Sequence, residues 1–196
     1  MDPPKAEGPR AAQILEGLER LVLQRRTLAI SFNDLSDFLG ISRSLIYVYH
    51  DSIPAMLEAL SLSHLERIES EVLPFLDASG SFHDRAVASA AAYLRYCADH
   101  GPLLQLILRE APGDSPLSPK ARARFRHSLR KVASQTASGL RVSGREAFVV
   151  LELLAAIPES LARLVNEEAV RRDIALKTCE RLIDASLVSL AVSAPS

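Results

Sequence analysis

The chain has 196 residues, 48% of them apolar and 24% charged, with a formal net charge of −1. That length can bury a real core and that balance excludes a disordered chain. No overall basic excess exists, so any nucleic-acid surface has to be built locally.

Cys97 and Cys179 lie far apart with no Cys-x-x-Cys pair and no metal-ligand spacing, which reads as two free thiols in a reducing cytoplasm. The first ten residues are polar and proline-bearing, unlike a signal peptide. The longest apolar-rich stretch, 147–157, is too short for a membrane span. A cytoplasmic protein with no membrane partner is expected.

In chain order, residues 11–26 place Ile14, Leu15, Leu18, Leu21 and Val22 on one stripe of a helix. Ser31, with Asp34 three residues later, reads as the N-cap of a short helix that Gly40 stops. Ser42 then caps a second short helix at 43–49. Two helices separated only by Gly40, Ile41 and Ser42 form a helix-turn-helix, with Leu35, Leu39, Ile41 and Ile46 as its small core. A fourth helix starts near Asp51 or Ser52, with Pro54 in its first turn where proline is tolerated. Pro74, Ser79, Gly80 and Ser81 read as the next break.

Helices are then expected at 82–99 and 103–110, with a loop at 111–116. Another follows at 118–138, with Phe125, Leu129, Val132 and Thr136 on one side and a break over 139–144. Ser143 and Glu146 read as a capping box opening a long helix at 144–166, followed by another at 170–191. The first of these two is apolar over more than one face and needs covering on several sides. Nothing C-terminal remains to cover it, so a homodimer through helices 144–166 and 170–191 is expected.

The stretch from Ser31 to His50 resembles the DNA-binding signature of the TetR/AcrR family of transcriptional regulators. Ser31 stands for the family's threonine, Leu35 for its buried aliphatic residue, and Gly40-Ile41-Ser42 for its turn. Ile46-Tyr47 and Tyr49 match the end of its recognition helix. His50 replaces the usual phenylalanine and reads as its structural substitute. Ile53 and Pro54 replace a lysine and an acidic residue, and Ser44-Leu45 a glycine-threonine pair. At two of those positions the family commonly touches DNA.

The resemblance implies an all-α fold: an N-terminal three-helix helix-turn-helix domain plus a C-terminal helical ligand-binding and dimerisation domain. The corresponding boundaries are 1–52 for the DNA-binding domain, 53–73 for a connecting helix and 74–196 for the rest. It implies a repressor that binds a palindromic operator in double-stranded DNA and responds to a small, largely apolar effector. The alternative is a TetR-like protein with weakened DNA binding that acts through protein partners.

Physically, Arg43 in the first turn of the recognition helix can take a guanine edge or a phosphate. Ser42, Ser44 and Leu45 lie beside it. Tyr47 and Tyr49 serve either as phosphate contacts or as core aromatics. Ser31 and Asn33, at a helix N-terminus, offer donors to another phosphate. Against this, residues 10–50 hold Arg10, Arg20, Arg25, Arg26 and Arg43 but also Glu16, Glu19, Asp34 and Asp37, a net of +1. Modest affinity with a shallow salt dependence is expected.

The resemblance places the effector between the helices at 82–99, 103–110, 118–138 and 144–166. Candidates are Tyr93, Tyr96, Leu104, Ile107, Phe125 and Phe148, each of which is equally readable as plain core. Residues 120–145 hold eight basic residues and no acidic one, read as a solvated face or, more sharply, as a patch for an anionic partner. The five histidines are scattered and no catalytic motif appears. No enzyme, cofactor or metal is expected.

Overall fold

A computed structural model describes residues 8–109 and 117–192. The loop expected at 111–116 lies outside the described residues. The described residues form helices joined by short turns, with no strand among them: α1 (Pro9–Arg25), α2 (Phe32–Leu39), α3 (Arg43–Tyr49), α4 (Ile53–Glu71), α5 (Leu73–Asp77), α6 (Phe82–His100), α7 (Leu103–Arg109), α8 (Pro119–Leu140), α9 (Gly144–Asn166) and α10 (Arg172–Val192). None is long and apolar enough to cross a membrane. No group of three His, Cys, Asp or Glu side chains suits a metal ion among the described residues.

Two elements depart from the sequence reading. Pro74 reads as a breaker, yet it sits in the first turn of α5, where its missing N–H would have had no intrahelical partner. α8 runs on through Gly139 to Leu140.

The chain divides into two compact units. The first takes the described residues among 1–65 and 102–122. α1 packs against α2, α3 and α7 there. Its core joins Leu18, Leu35, Ile46, Met56, Leu103 and Ile107, each at most 1% exposed. Burying a side chain of this size contributes about 1.5–3 kcal/mol. α1 uses a glycine where another helix comes close: a methyl on Gly17 would lie 2.5 Å from a terminal carbon of Leu39. Nε2 of the buried His64 on α4 meets Oε1 of Glu19 on α1 at 3.0 Å.

The second unit takes residues 66–101 and the described residues among 123–196. In it α6 packs against α5, α9 and α10, and α9 packs against α10. Leu94, Leu140, Val150, Cys179, Ile183 and Leu187 lie at the centre of its core. The Arg172 guanidinium at the start of α10 donates two hydrogen bonds, 2.7 and 2.8 Å, to the carboxylate of Asp99 near the end of α6. Part of the basic run is consumed internally. Arg124 pairs with Glu66 at 3.1 Å and Glu69 at 2.6 Å, and Lys131 pairs with Asp77 at 2.6 Å.

Candidate nucleic-acid interface

α2 and α3 are short because each is stopped and started by specific chemistry. The Ser31 hydroxyl accepts a hydrogen bond from the Asp34 N–H, and the Asp34 carboxylate accepts from the Ser31 N–H, completing a capping box. The Ser31 hydroxyl also donates to that carboxylate, and Arg25 pairs with it at 2.5 Å. These hydrogen bonds, Ser31 first and Arg25 next, hold the Asp34 carboxyl well below the usual carboxylate range.

Gly40 ends α2 in the left-handed conformation (φ 63°), and its N–H bonds the Ser36 carbonyl. Two residues later the Ser42 hydroxyl accepts the Leu45 N–H at 3.3 Å and starts α3. The Ser36 hydroxyl donates to the Ile41 carbonyl at 2.5 Å, fixing the turn between the two helices.

α3 turns Ile46 fully inward (0% exposed). Tyr49 and Leu45 are half-buried, and Tyr49 packs against the core of the first unit. Arg43, Ser44, Tyr47 and Val48 face out, the last two at 49% and 52% exposure. The Tyr47 ring meets the Phe32 ring edge-on at 4.6 Å, which orients it. Ser42 and Ser44 share a hydrogen bond of 2.9 Å between their hydroxyls. His50 closes α3, and its Nε2 lies 3.1 Å from the Ala11 carbonyl of α1. Donation to that carbonyl requires the proton on Nε2, and it gives His50 the structural place expected of it.

The structure therefore gathers Ser42, Arg43, Ser44 and Tyr47 onto or beside one exposed helix face and sets Tyr49 largely behind it. Both donors of Ser31 are engaged by Asp34, so Asn33 is the exposed polar side chain at that corner. Ile53 is 8% exposed and belongs to the core, so the position where the resemblance expects a lysine offers nothing to a phosphate. Val48, absent from the sequence-based candidates, shares the exposed face. Its spacing of four residues from Ser44 is the signal that would have found it.

Of the effector candidates, Tyr93 and Tyr96 come together, their rings stacked at 6.1 Å. Tyr96 is 1% exposed and also meets His100 at 5.1 Å. The Tyr93 hydroxyl donates to Oε1 of Glu159 on α9 at 2.9 Å, a partner no local sequence pattern marks. Leu104 and Ile107 are buried in the first unit, Phe125 is half-buried on α8, and Phe148 is 50% exposed on α9.

A capped helix-turn-helix in the first unit and a second unit whose described residues are helical define the class of fold. Comparison with solved structures makes this particular: the fold is that of the TetR-type transcriptional regulators. A TetR-like transcriptional regulator from Rhodococcus sp. RHA1 aligns over 94% of this chain and 99% of its own, with a TM-score of 0.68 and 17% identity. A TetR/AcrR regulator from Thermobifida fusca aligns over 90% and 97%, with a TM-score of 0.59 and 19% identity. The fatty acid degradation regulator of Bacillus halodurans aligns over 91% and 96%, with a TM-score of 0.64 and 12% identity. No family model matches the chain, and no curated protein matches it in sequence.

Proposed function

We propose that this chain is a TetR-like transcriptional repressor that binds double-stranded DNA as a homodimer and releases or engages it in response to a small, largely apolar effector. The observation that carries the reading is the capped turn from Ser31 to Ser42, which presents Arg43, Ser44 and Tyr47 on the exposed face of α3. An exposed face opposite a buried Ile46 is what a helix needs to enter a major groove. In this reading Arg43 takes a guanine edge, while Tyr47 and Asn33 take phosphates.

Residues 1–52 read the DNA, the helix over 53–73 connects, and residues 74–196 hold the effector and the partner subunit. Dimerisation through α9 and α10 is supported by the apolar side chains they leave uncovered. On α9 these are Phe148, Val149 and Leu153, at 50%, 56% and 65% exposure. On α10 they are Ile174, Leu182 and Val188, at 51%, 46% and 52%. A two-fold dimer sets two recognition helices about 34–36 Å apart, one turn of a palindrome. Effector and operator then share a coupling free energy through two conformations of the dimer.

Selection of bound duplexes from a random pool tests this, with a palindromic winner expected. Failure to enrich any duplex at low salt would overturn it. The burial of Ile53 favours a second reading, in which weakened operator binding leaves the protein acting through protein partners. In that case Arg43→Ala leaves regulation intact, whereas it abolishes repression in the first reading.

A further inference from the structure

The exposed face of α3 is chemically sparse. At 100° per residue, Arg43, Ser44, Tyr47 and Val48 fall within an arc of about 140°. Arg43 is the sole charged residue of the helix. The Ser44 hydroxyl is shared with Ser42, and the Tyr47 ring is held against Phe32. Val48 is a branched apolar side chain, 52% exposed, on the same face and one turn beyond Ser44. An exposed valine has no hydrogen bond to offer, so the one base-edge group it complements in a major groove is the C5-methyl of thymine.

We infer that Val48 is a specificity-determining residue that reads a thymine methyl in each half-site, in step with a guanine taken by Arg43. The two residues are five positions apart on α3, which at 1.5 Å per residue is about 7.5 Å along the helix axis. Base pairs along a strand are spaced about 3.4 Å, so the thymine lies about two base pairs from the guanine. This rests on the reading that α3 enters a major groove. It goes beyond that reading by naming what the groove must contain.

The test uses the full chain and the duplex recovered from a random pool. Each half-site thymine is replaced in turn by deoxyuridine, which removes only the methyl group, and the dissociation constant is measured for wild type and Val48→Ala. Val48 is exposed and alanine favours helix, so the variant keeps α3. One swap, about two base pairs from the essential guanine, should weaken wild type about fourfold, the loss expected for one buried methyl-sized group. The same swap should leave Val48→Ala unchanged. Wild type indifferent to every swap, or Val48→Ala losing as much as wild type, would overturn the inference while the recovered palindrome keeps the DNA-binding reading. Recovery of no duplex would overturn both.

Discussion

Gly139 and Gly144 form a matched pair of probes for the packing of the second unit. A methyl added at residue 139 would lie 2.1, 2.3 and 2.6 Å from Cγ, Cδ1 and Cδ2 of Phe82 on α6. Those atoms sit at the near edge of a half-buried ring, which must move as a body. A methyl at residue 144 meets nothing within 4 Å. Glycine to alanine inside a helix gains about 1 kcal/mol from propensity, while overpacking a filled site costs about 1–3 kcal/mol. For Gly139→Ala the second effect should win by about 1 kcal/mol, lowering the thermal midpoint by about 2–4 °C. Gly144→Ala, with only the first effect, should leave the midpoint level or raised. Adding Phe82→Ala to Gly139→Ala should relieve the clash, giving a coupling of more than about 0.5 kcal/mol in a double-mutant cycle. Gly139→Ala as stable as wild type, or no coupling to Phe82, would refute the packing argument.

Three further outcomes are expected. Gly40 is left-handed with open space around it (φ 63°), so Gly40→Ala should cost about 1–2 kcal/mol from backbone strain alone and Gly40→Asn less, read as unfolding midpoints. Burial pushes the Cys179 thiol up to about 11 and Cys97 is also buried. Neither should react with a thiol reagent at pH 8 until the protein unfolds, when both should react. The hydrogen bonds from Arg172, opposed by partial burial, hold the Asp99 carboxyl below its usual value. A depressed carboxylate stabilises the fold above its unfolded value near 3.9 and loses that contribution as pH falls through the native value. Arg172→Ala should therefore cost about 0.5 kcal/mol at pH 7, as befits a half-exposed pair, with the difference from wild type shrinking below about pH 4.

The helix-turn-helix was legible because its boundaries are chemical. Ser31, Gly40 and Ser42 each satisfy or release specific backbone groups, and the structure ends α2 and starts α3 at those residues. α5 was not legible: Pro74 looks the same in a loop as in a first helical turn. Gly139 likewise reads as a stop, but packing against Phe82 lets α8 continue over it. Contacts between distant segments carried no local signal. Arg172 and Asp99 are 73 residues apart, and Tyr93 and Glu159 are 66 apart. Residue type alone marks the six effector candidates and does not distinguish the stacked Tyr93 and Tyr96 from the exposed Phe148.

Equilibrium titration of the selected duplex with wild type and Arg43→Ala, repeated at rising salt, shows whether the exposed face of α3 reads DNA. One dimer per duplex is expected, with affinity that falls with salt and a loss of about tenfold or more for Arg43→Ala that disappears when the contacted guanine is replaced. Equal affinity of the two proteins for the duplex, or no preference of either for it over a scrambled sequence, would contradict it.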